Sequence, residues 1–211
     1  MDDLAIPEPR EPYQEISEQA RRDCRDRIVA EIPANGEIWV FGFGSLMWNP
    51  CFSHTASHPA TLSGYQRKFH IWTAKARGTP EKPGLGLCLE PVPDGECRGV
   101  AYRLDPATLE QDLNALWYRE MTTGIYNPIW HSLRLETGAE IEAVTFVVNP
   151  NNRQYAGPIP IAQMAAIIAR ARGEYGSCRD YLAHTIDGMA ALGVSDVELD
   201  DLLELVDEIL A

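Results

Sequence analysis

The order of strand-like and helix-like segments is the strongest constraint on how this 211-residue chain folds. Segments rich in β-branched and aromatic residues, bounded by Gly, Pro or Asn, predict strands at 38–41, 62–73, 85–90, 99–104, 131–135 and 141–148. Further along the chain, apolar residues recur at helical spacing and predict helices at 160–173, 179–192 and 195–210. Because strands dominate the middle and helices collect at the end, the sequence predicts an α+β fold rather than repeating βαβ units.

Two local patterns predict where helices begin. Asp105 suits an N-cap and Pro106 suits the first position of a helix. The apolar residues of that helix follow at helical spacing and are Leu109, Leu113, Leu116 and Trp117. Ser195, with Glu198 three residues later, has the capping-box pattern and predicts the start of the last helix.

The N-terminal residues differ in composition from the rest of the chain. Residues 1–14 contain three prolines and predict an extended arm. Residues 15–31 are mostly charged, with one apolar residue in every four, which predicts a helix lying on the surface.

Length, composition and net charge indicate the class of protein and the partners that it can bind. Apolar residues make up 45% and charged residues 23%, as in an ordinary globular protein, and the length fits one domain with an appendage. Lys and Arg number 18 against 31 Asp and Glu, giving a formal net charge of −13. Such a surface repels phosphate backbones and anionic lipids, so we expect no nucleic acid and no membrane as partner.

The cysteine and histidine patterns argue against a metal. The five cysteines are widely spaced and contain no CxxC pair, which disfavours both a disulfide framework and a zinc site, and the histidines lack ligand spacing. The start of the chain carries no secretory signal, and no apolar stretch has spanning length. We therefore expect a cytoplasmic protein with no metal.

One carboxylate falls on the apolar face of the helix that follows Asp105. At 100° per residue, Glu120 lies about 20° from Leu109, in the middle of the apolar stripe, provided that the helix extends that far. A buried carboxylate raises its pKa and becomes a candidate general base or acid near neutral pH. The alternative is that the helix ends near Trp117 and that Glu120 is solvated or paired with Arg119.

A second candidate feature is the strand that runs into a glycine turn at 41–48. Glycine lets backbone N–H groups converge on an anion and lets a ligand approach the main chain, and at Gly44 we expect a positive φ. The segment lacks the ending of a phosphate loop and the third glycine of a dinucleotide fingerprint, so neither ATP nor NAD is indicated. Ser45 also lacks the second glycine of a nucleophile elbow, and a plain tight turn is the alternative.

These two features belong to a set of ordered motifs that resembles a known family. The motifs are VFGFGSLMW (40–48), RGTPEKPG (77–84), GVAYRL (99–104), WYREM (117–121), YAG (155–157) and GSCRDYL (176–182). Together they resemble the ChaC family of glutathione-specific γ-glutamylcyclotransferases over about residues 37–206. The resemblance implies a catalytic domain over 36–211, with residues 1–35 as an N-terminal arm and surface helix outside it.

The resemblance implies a γ-glutamylcyclotransferase-like fold, a small mixed sheet curling into a barrel flanked by helices. It implies conversion of reduced glutathione to 5-oxoproline and cysteinylglycine with no cofactor. It also implies that Glu120 is the catalytic acid/base, which agrees with its place on the helical wheel. The implied substrate-binding residues are Gly42, Phe43, Gly44, Ser45, Leu46, Met47, Arg77 and Tyr155, with Tyr126 as a further pocket hydroxyl.

Two positions depart from the family pattern. The family usually has Tyr where Phe43 stands, and it commonly has His where Ala76 precedes the RGTP stretch. The alternatives are a cyclotransferase for other γ-glutamyl amines or amino acids and a non-catalytic relative that binds a small molecule or protein. A carboxylate on the apolar helix face favours the enzymes, because a binding module has no need of it.

Overall fold

The main body of the protein is a closed five-stranded barrel. The computed structural model describes residues 14–211, so the arm predicted at 1–14 lies almost entirely outside the described residues. The strands are β1 (Trp39–Gly42), β2 (His54–Thr73), β3 (Gly84–Leu104), β4 (Tyr126–Leu135) and β5 (Glu140–Val148). They are ordered β1-β3-β2-β4-β5, and β5 closes the barrel by pairing parallel with β1, whereas the other pairs are antiparallel. The predicted α+β class and mixed barrel are confirmed.

Strand β3 differs from the prediction of two separate strands at 85–90 and 99–104. It is one strand of 21 residues that pairs along its length with β2. Tyr65 pairs with Pro91 and Ser63 pairs with Glu96, so residues 92–95 bulge out opposite Gly64 and pairing then resumes. The Pro and Gly residues that predicted a break between two strands therefore lie in or beside a bulge within one continuous strand.

Helix α2 (Leu109–Glu120) starts later than predicted and extends to Glu120. The helix follows Thr108, whereas Asp105 opens a preceding turn in which its carboxylate accepts from the Ala107 N–H at 2.9 Å. The predicted N-cap was wrong because a short side chain such as Asp caps a turn as readily as a helix.

The C-terminal region holds α3 (Ile161–Arg170), α4 (Cys178–Ala190) and α5 (Val197–Leu210). The short strands β6 (Arg172–Gly173) and β7 (Gly176–Ser177) form a hairpin where the first of these helices was expected to continue. The capping box at Ser195 is wrong, because Asp196 is the N-cap and its Oδ1 accepts from the Leu199 N–H at 3.3 Å. None of the described helices is long and apolar enough to cross a membrane.

The predicted N-terminal helix is present as α1 (Glu18–Ala30), with Ser17 as its N-cap. Cys24 is its buried residue, which agrees with a narrow apolar stripe on a surface helix. The Trp130 indole N–H on β4 donates to the Ile28 carbonyl at 3.0 Å and fastens α1 to the barrel.

The two faces of β1 pack against different helices. Trp39 and Phe41 belong to a core shared with α3, α4 and α5, whereas Val40 belongs to a core shared with α2. The segment that leaves β1 at Gly42 therefore lies between the C-terminal helices and the end of α2.

Candidate active site

Glu120 is the last residue of α2 and its carboxylate is largely buried. Leu113, Leu116 and Trp117 are buried on the same helix, and the Glu120 side chain is 15% exposed. Burial raises the pKa of Glu120 above its usual range, and the neighbouring Arg119 charge opposes the shift without cancelling it. The helix extends to Glu120, so the carboxylate lies on the buried helix face, as the first alternative of the sequence analysis predicts.

Arg119 connects this carboxylate to the glycine turn. Its Nε lies 3.4 Å from Glu120 Oε1, so the pairing considered as an alternative exists alongside burial. Its Nη2 donates to Ser45 Oγ at 2.7 Å and its Nη1 donates to the Asn49 carbonyl at 2.6 Å. The guanidinium thus holds the end of α2 against the turn.

The turn itself runs from the end of β1 into a single 3₁₀ turn at Ser45–Met47. Gly42 is required by close packing, because a β-carbon there would lie 2.9 Å from Leu46 Cβ. The positive φ expected at Gly44 is wrong, since its φ is −134°. A β-carbon on Gly44 would instead meet the Tyr181 hydroxyl and Leu87 Cδ1, each at 3.4 Å.

The larger side chains of the turn point into the protein. Phe43 and Leu46 are buried in the two different cores, and Met47 packs against both. The Met47 carbonyl accepts from the Tyr102 hydroxyl at 3.0 Å, and the Phe43 carbonyl accepts from Arg67 Nε at 2.6 Å. These side chains are therefore engaged in packing within the two cores.

Two tyrosines meet at the backbone of Leu87 in β3. The Tyr126 hydroxyl donates to the Leu87 carbonyl at 2.7 Å, and the Tyr181 hydroxyl is hydrogen-bonded to the backbone of Leu87. Burial raises the pKa of both tyrosines, and the nearby charge of Glu120 raises the two pKa values further. Both phenols are therefore neutral hydrogen-bonding groups beside the carboxylate.

Arg77 lies at the edge of this group. Its guanidinium carbon is 5.2 Å from the centre of the Tyr181 ring, and it donates to the Tyr175 carbonyl of the β6–β7 hairpin. The Ala76 carbonyl accepts from the Tyr175 N–H at 3.0 Å, so the same hairpin holds both residues.

Tyr155 lies in a neighbouring polar cluster. Its hydroxyl bonds to Glu90, whose Oε1 is 2.7 Å from His70 Nδ1, and burial followed by the contact with Glu90 raises the pKa of Tyr155 to about 12. Tyr155 and Tyr126 pack against the same small apolar group, which contains Cys88. The structure therefore brings Glu120, the turn and Arg77 around Tyr126 and Tyr181. Tyr155 is connected to them only through the apolar group that it shares with Tyr126.

Sequence reasoning gave no role to Tyr181 or the Leu87 backbone, and it considered Arg119 only as a charged partner of Glu120. Tyr181 and Arg119 stand within the quoted motifs, but the motifs alone carry no sign that α4 and α2 converge on the turn. A backbone acceptor such as the Leu87 carbonyl leaves no signal in sequence.

Two cavities of the protein lie away from Glu120 and Gly44. Their volumes are about 330 and 300 Å³, and neither residue lines them. Among residues 14–211, no three or more His, Cys, Asp or Glu side chains are grouped as metal ligands would be. All five cysteines are free.

The chain is similar to a family and to several known proteins. The family described as ChaC-like protein matches residues 38–209. A glutathione-specific gamma-glutamylcyclotransferase of Escherichia coli is 41% identical over 179 residues, which are 85% of this chain and 77% of that protein. The human glutathione-specific gamma-glutamylcyclotransferase 1 is 30% identical over 170 residues, with 78% of this chain and 77% of that protein covered.

A solved structure shares the fold. The crystal structure of a gamma-glutamylcyclotransferase specific to glutathione from yeast superposes with a TM-score of 0.75 at 24% identity. The superposition covers 82% of this chain and 96% of the yeast chain. The barrel with its flanking helices is therefore the γ-glutamylcyclotransferase fold.

Proposed function

This chain belongs to the family of ChaC-like proteins, and we propose that it cleaves glutathione to 5-oxoproline and cysteinylglycine. The observation that carries the proposal is a largely buried Glu120 with a raised pKa, tied through Arg119 to a glycine turn. The names of the Escherichia coli and human relatives support glutathione as the substrate.

The proposed reaction is an internal displacement. The α-amine of the γ-glutamyl group attacks its own γ-carbonyl carbon, a five-membered lactam closes, and the bond to the cysteine nitrogen breaks. Because both reacting groups belong to one molecule, orientation supplies much of the rate, and effective molarities in such reactions reach about 10⁵–10⁸ M. The main task of the protein is to hold the γ-glutamyl chain in a folded shape.

Glu120 provides the proton transfers. The substrate amine is mostly protonated at neutral pH, so it must lose a proton before it attacks. The attacking nitrogen loses two protons, one before attack and one as the ring closes. The carboxylate passes them to the leaving nitrogen, which departs as the ammonium group of cysteinylglycine, so Glu120 ends as it began. General acid–base catalysis of this kind contributes about 10²–10⁴-fold.

Charged and polar groups around Glu120 suit an anionic substrate. We assign the backbone N–H groups of residues 44–46 to the α-carboxylate or to the oxyanion that develops on the γ-carbonyl. Arg77 supplies positive charge at the edge of the site, and the neutral Tyr126 and Tyr181 hydroxyls lie near Glu120. The Tyr126 proton is donated to the Leu87 carbonyl, so its oxygen can accept a hydrogen bond from the substrate. Tyr155 is assigned to the outer part of the same binding region.

The domain boundaries, the partner and the compartment are part of the same proposal. Residues 36–211 form the proposed catalytic domain and residues 1–35 an appended arm and helix. The partner is a small molecule, reduced glutathione, and neither nucleic acid nor membrane. We propose the cytoplasm as the compartment, and no step of the reaction calls for a cofactor or metal.

The test is direct incubation of the purified protein with reduced glutathione, with and without a chelator, followed by quantification of 5-oxoproline and cysteinylglycine. We expect equal amounts of both products and no effect of the chelator. Failure to form 5-oxoproline would refute the proposed function, and a chelator-sensitive rate restored by zinc would refute metal-independent catalysis.

A further inference from the structure

Arg67 of β2 is a buried cation outside the group around Glu120. Its side chain is 3% exposed. Burying a guanidinium is strongly unfavourable unless its donors are satisfied. The contacts of Arg67 therefore indicate which parts of the structure it holds in place.

Two of these partners are backbone carbonyls. Nε donates to the Phe43 carbonyl at 2.6 Å, and Nη2 donates to the Arg98 carbonyl at 2.6 Å. Nη1 lies 3.0 Å from Met189 Sδ on α4, and the Asp196 carboxylate approaches Nη1 only to 4.0 Å. The short contacts are made to carbonyl oxygens, and the carboxylate balances the charge from a greater distance.

The Phe43 carbonyl belongs to the peptide bond that enters the glycine turn. In a trans peptide the C=O and N–H groups point to opposite sides, and none of the described peptide bonds is cis. Fixing the Phe43 oxygen toward Arg67 therefore fixes the direction of the Gly44 N–H away from Arg67. The same guanidinium also donates to the Arg98 carbonyl, so it connects the Phe43–Gly44 peptide to β3.

We propose that Arg67 is a positioning residue that sets the orientation of the Phe43–Gly44 peptide, and with it the Gly44 N–H that faces the γ-glutamyl group. This role rests on the proposed function, because the turn matters only if it holds the substrate. Lysine at this position keeps the charge but lacks the fork, so it cannot bond both carbonyls in the same geometry.

The first readout is kinetic. In Arg67→Lys we expect kcat with glutathione to fall roughly 10- to 100-fold while KM changes by less than about threefold, because the substrate still binds but the reacting groups are misaligned. Arg67→Met removes the charge as well and should be at least as slow. The matched surface control is Arg134→Lys, whose guanidinium pairs with Glu96 in the open.

The second readout does not depend on turnover. The Met47 N–H bonds to the Gly44 carbonyl at 2.8 Å and the Asn49 N–H bonds to the Ser45 carbonyl at 2.9 Å, so hydrogen exchange at these amides reports the order of the turn. We expect both amides to exchange at least about tenfold faster in Arg67→Lys. Val206→Ala, a cavity in the core at α5, calibrates what general destabilisation does to the same amides and to kcat.

The variant Asp196→Asn tests whether Arg67 acts through its contacts with the two carbonyls or through its attraction to the Asp196 carboxylate. Asn caps a helix as well as Asp does, so the variant keeps the cap of α5 but removes the negative charge near Arg67. We expect its kcat and its Met47 exchange to change much less than those of Arg67→Lys, because both carbonyl contacts of Arg67 remain.

The outcomes are distinguishable. Unchanged Met47 and Asn49 exchange in Arg67→Lys overturns the positioning role, and so does a loss no larger than that of Val206→Ala or a loss matched by Asp196→Asn. If the wild type releases no 5-oxoproline, the proposed function fails, and the exchange measurement still decides whether Arg67 orders the turn.

Discussion

The Tyr181 hydroxyl lies 3.4 Å from the position that a β-carbon on Gly44 would occupy. Leu87 Cδ1 lies at the same distance from that position. The separation is an ordinary van der Waals contact, so an added methyl group fits the fold but occupies the space beside the turn. We infer that the space beside Gly44 is kept for the substrate of the proposed reaction, since φ at Gly44 is negative.

Replacing Gly44 tests this use of space. We expect Gly44→Ala to fold normally and lose activity, and Gly44→Val to lose about 100-fold or more in kcat/KM because its branched side chain would fill the place proposed for the γ-glutamyl group. Ser53→Val, at an exposed position near the turn, is the control and should retain activity. Full activity in a folded Gly44→Val protein would exclude a substrate beside this backbone.

Ser45 should be a contact and not a nucleophile. Its Oγ accepts from Arg119 Nη2 at 2.7 Å, so the hydroxyl helps to place the guanidinium. We expect Ser45→Ala to lose less activity than Gly44→Val, because Arg119 keeps its bond to the Asn49 carbonyl. Mass spectrometry of the enzyme during turnover should show no acyl adduct, and a trapped γ-glutamyl ester at Ser45 would contradict the internal displacement.

Burial of Glu120 should reduce stability at neutral pH. Its pKa is raised in the folded state, so the stabilisation from protonation is present at low pH and is lost as the pH rises through the raised pKa. We expect Glu120→Gln to increase the free energy of unfolding near pH 7 and to lose that gain below about pH 4.

Chemical denaturation at the two pH values measures this effect. Glu110→Gln on the exposed first turn of α2 is the matched control and should bring no gain, because an acidic residue there is favourable to the helix. A Glu120→Gln protein less stable than the wild type at neutral pH would show that the carboxylate is a net stabilising group.

Substrate choice follows from ring closure and from the leaving group. An α-glutamyl dipeptide or N-acetylated glutathione should not react, because the lactam needs a free α-amine and a γ-linked carbonyl. We expect kcat/KM to be highest for reduced glutathione, lower for γ-glutamyl-alanine, and low for glutathione disulfide, whose second tripeptide crowds the site. Equal values for glutathione and γ-glutamyl-alanine would favour a broader γ-glutamyl cyclotransferase.

Periodicity placed Glu120 on the apolar face on the condition that the helix extends to it, and the structure supplies that helix end. The spacing of Leu109, Leu113 and Leu116 defines one helix face, and Glu120 falls on it whether or not the first turn of the helix is assigned correctly. The raised pKa then follows from burial. Local spacing predicts such a residue because the helix alone determines which side chains share a face.

Tyr181 could not be placed in the same way. It reaches Gly44 only because α4 packs against the turn, some 130 residues later in the chain. At helix ends, two adjacent residues can both suit the N-cap. Ser195 and Asp196 are such a pair, and the structure has Asp196 as the N-cap of α5. The bulge at 92–95 is a tertiary effect as well, since the long partner strand β2 keeps β3 continuous across residues that favour a turn.

The most direct test of Glu120 as the base is 5-oxoproline release from glutathione by the wild type and by Glu120→Gln, measured at equal concentration after confirming that both proteins fold. Gln keeps the shape and the hydrogen-bonding capacity but cannot take the proton. We expect rapid release by the wild type and a loss of about 10²-fold or more in the variant, with glutathione binding retained. Substantial release by a folded Glu120→Gln protein would contradict this mechanism.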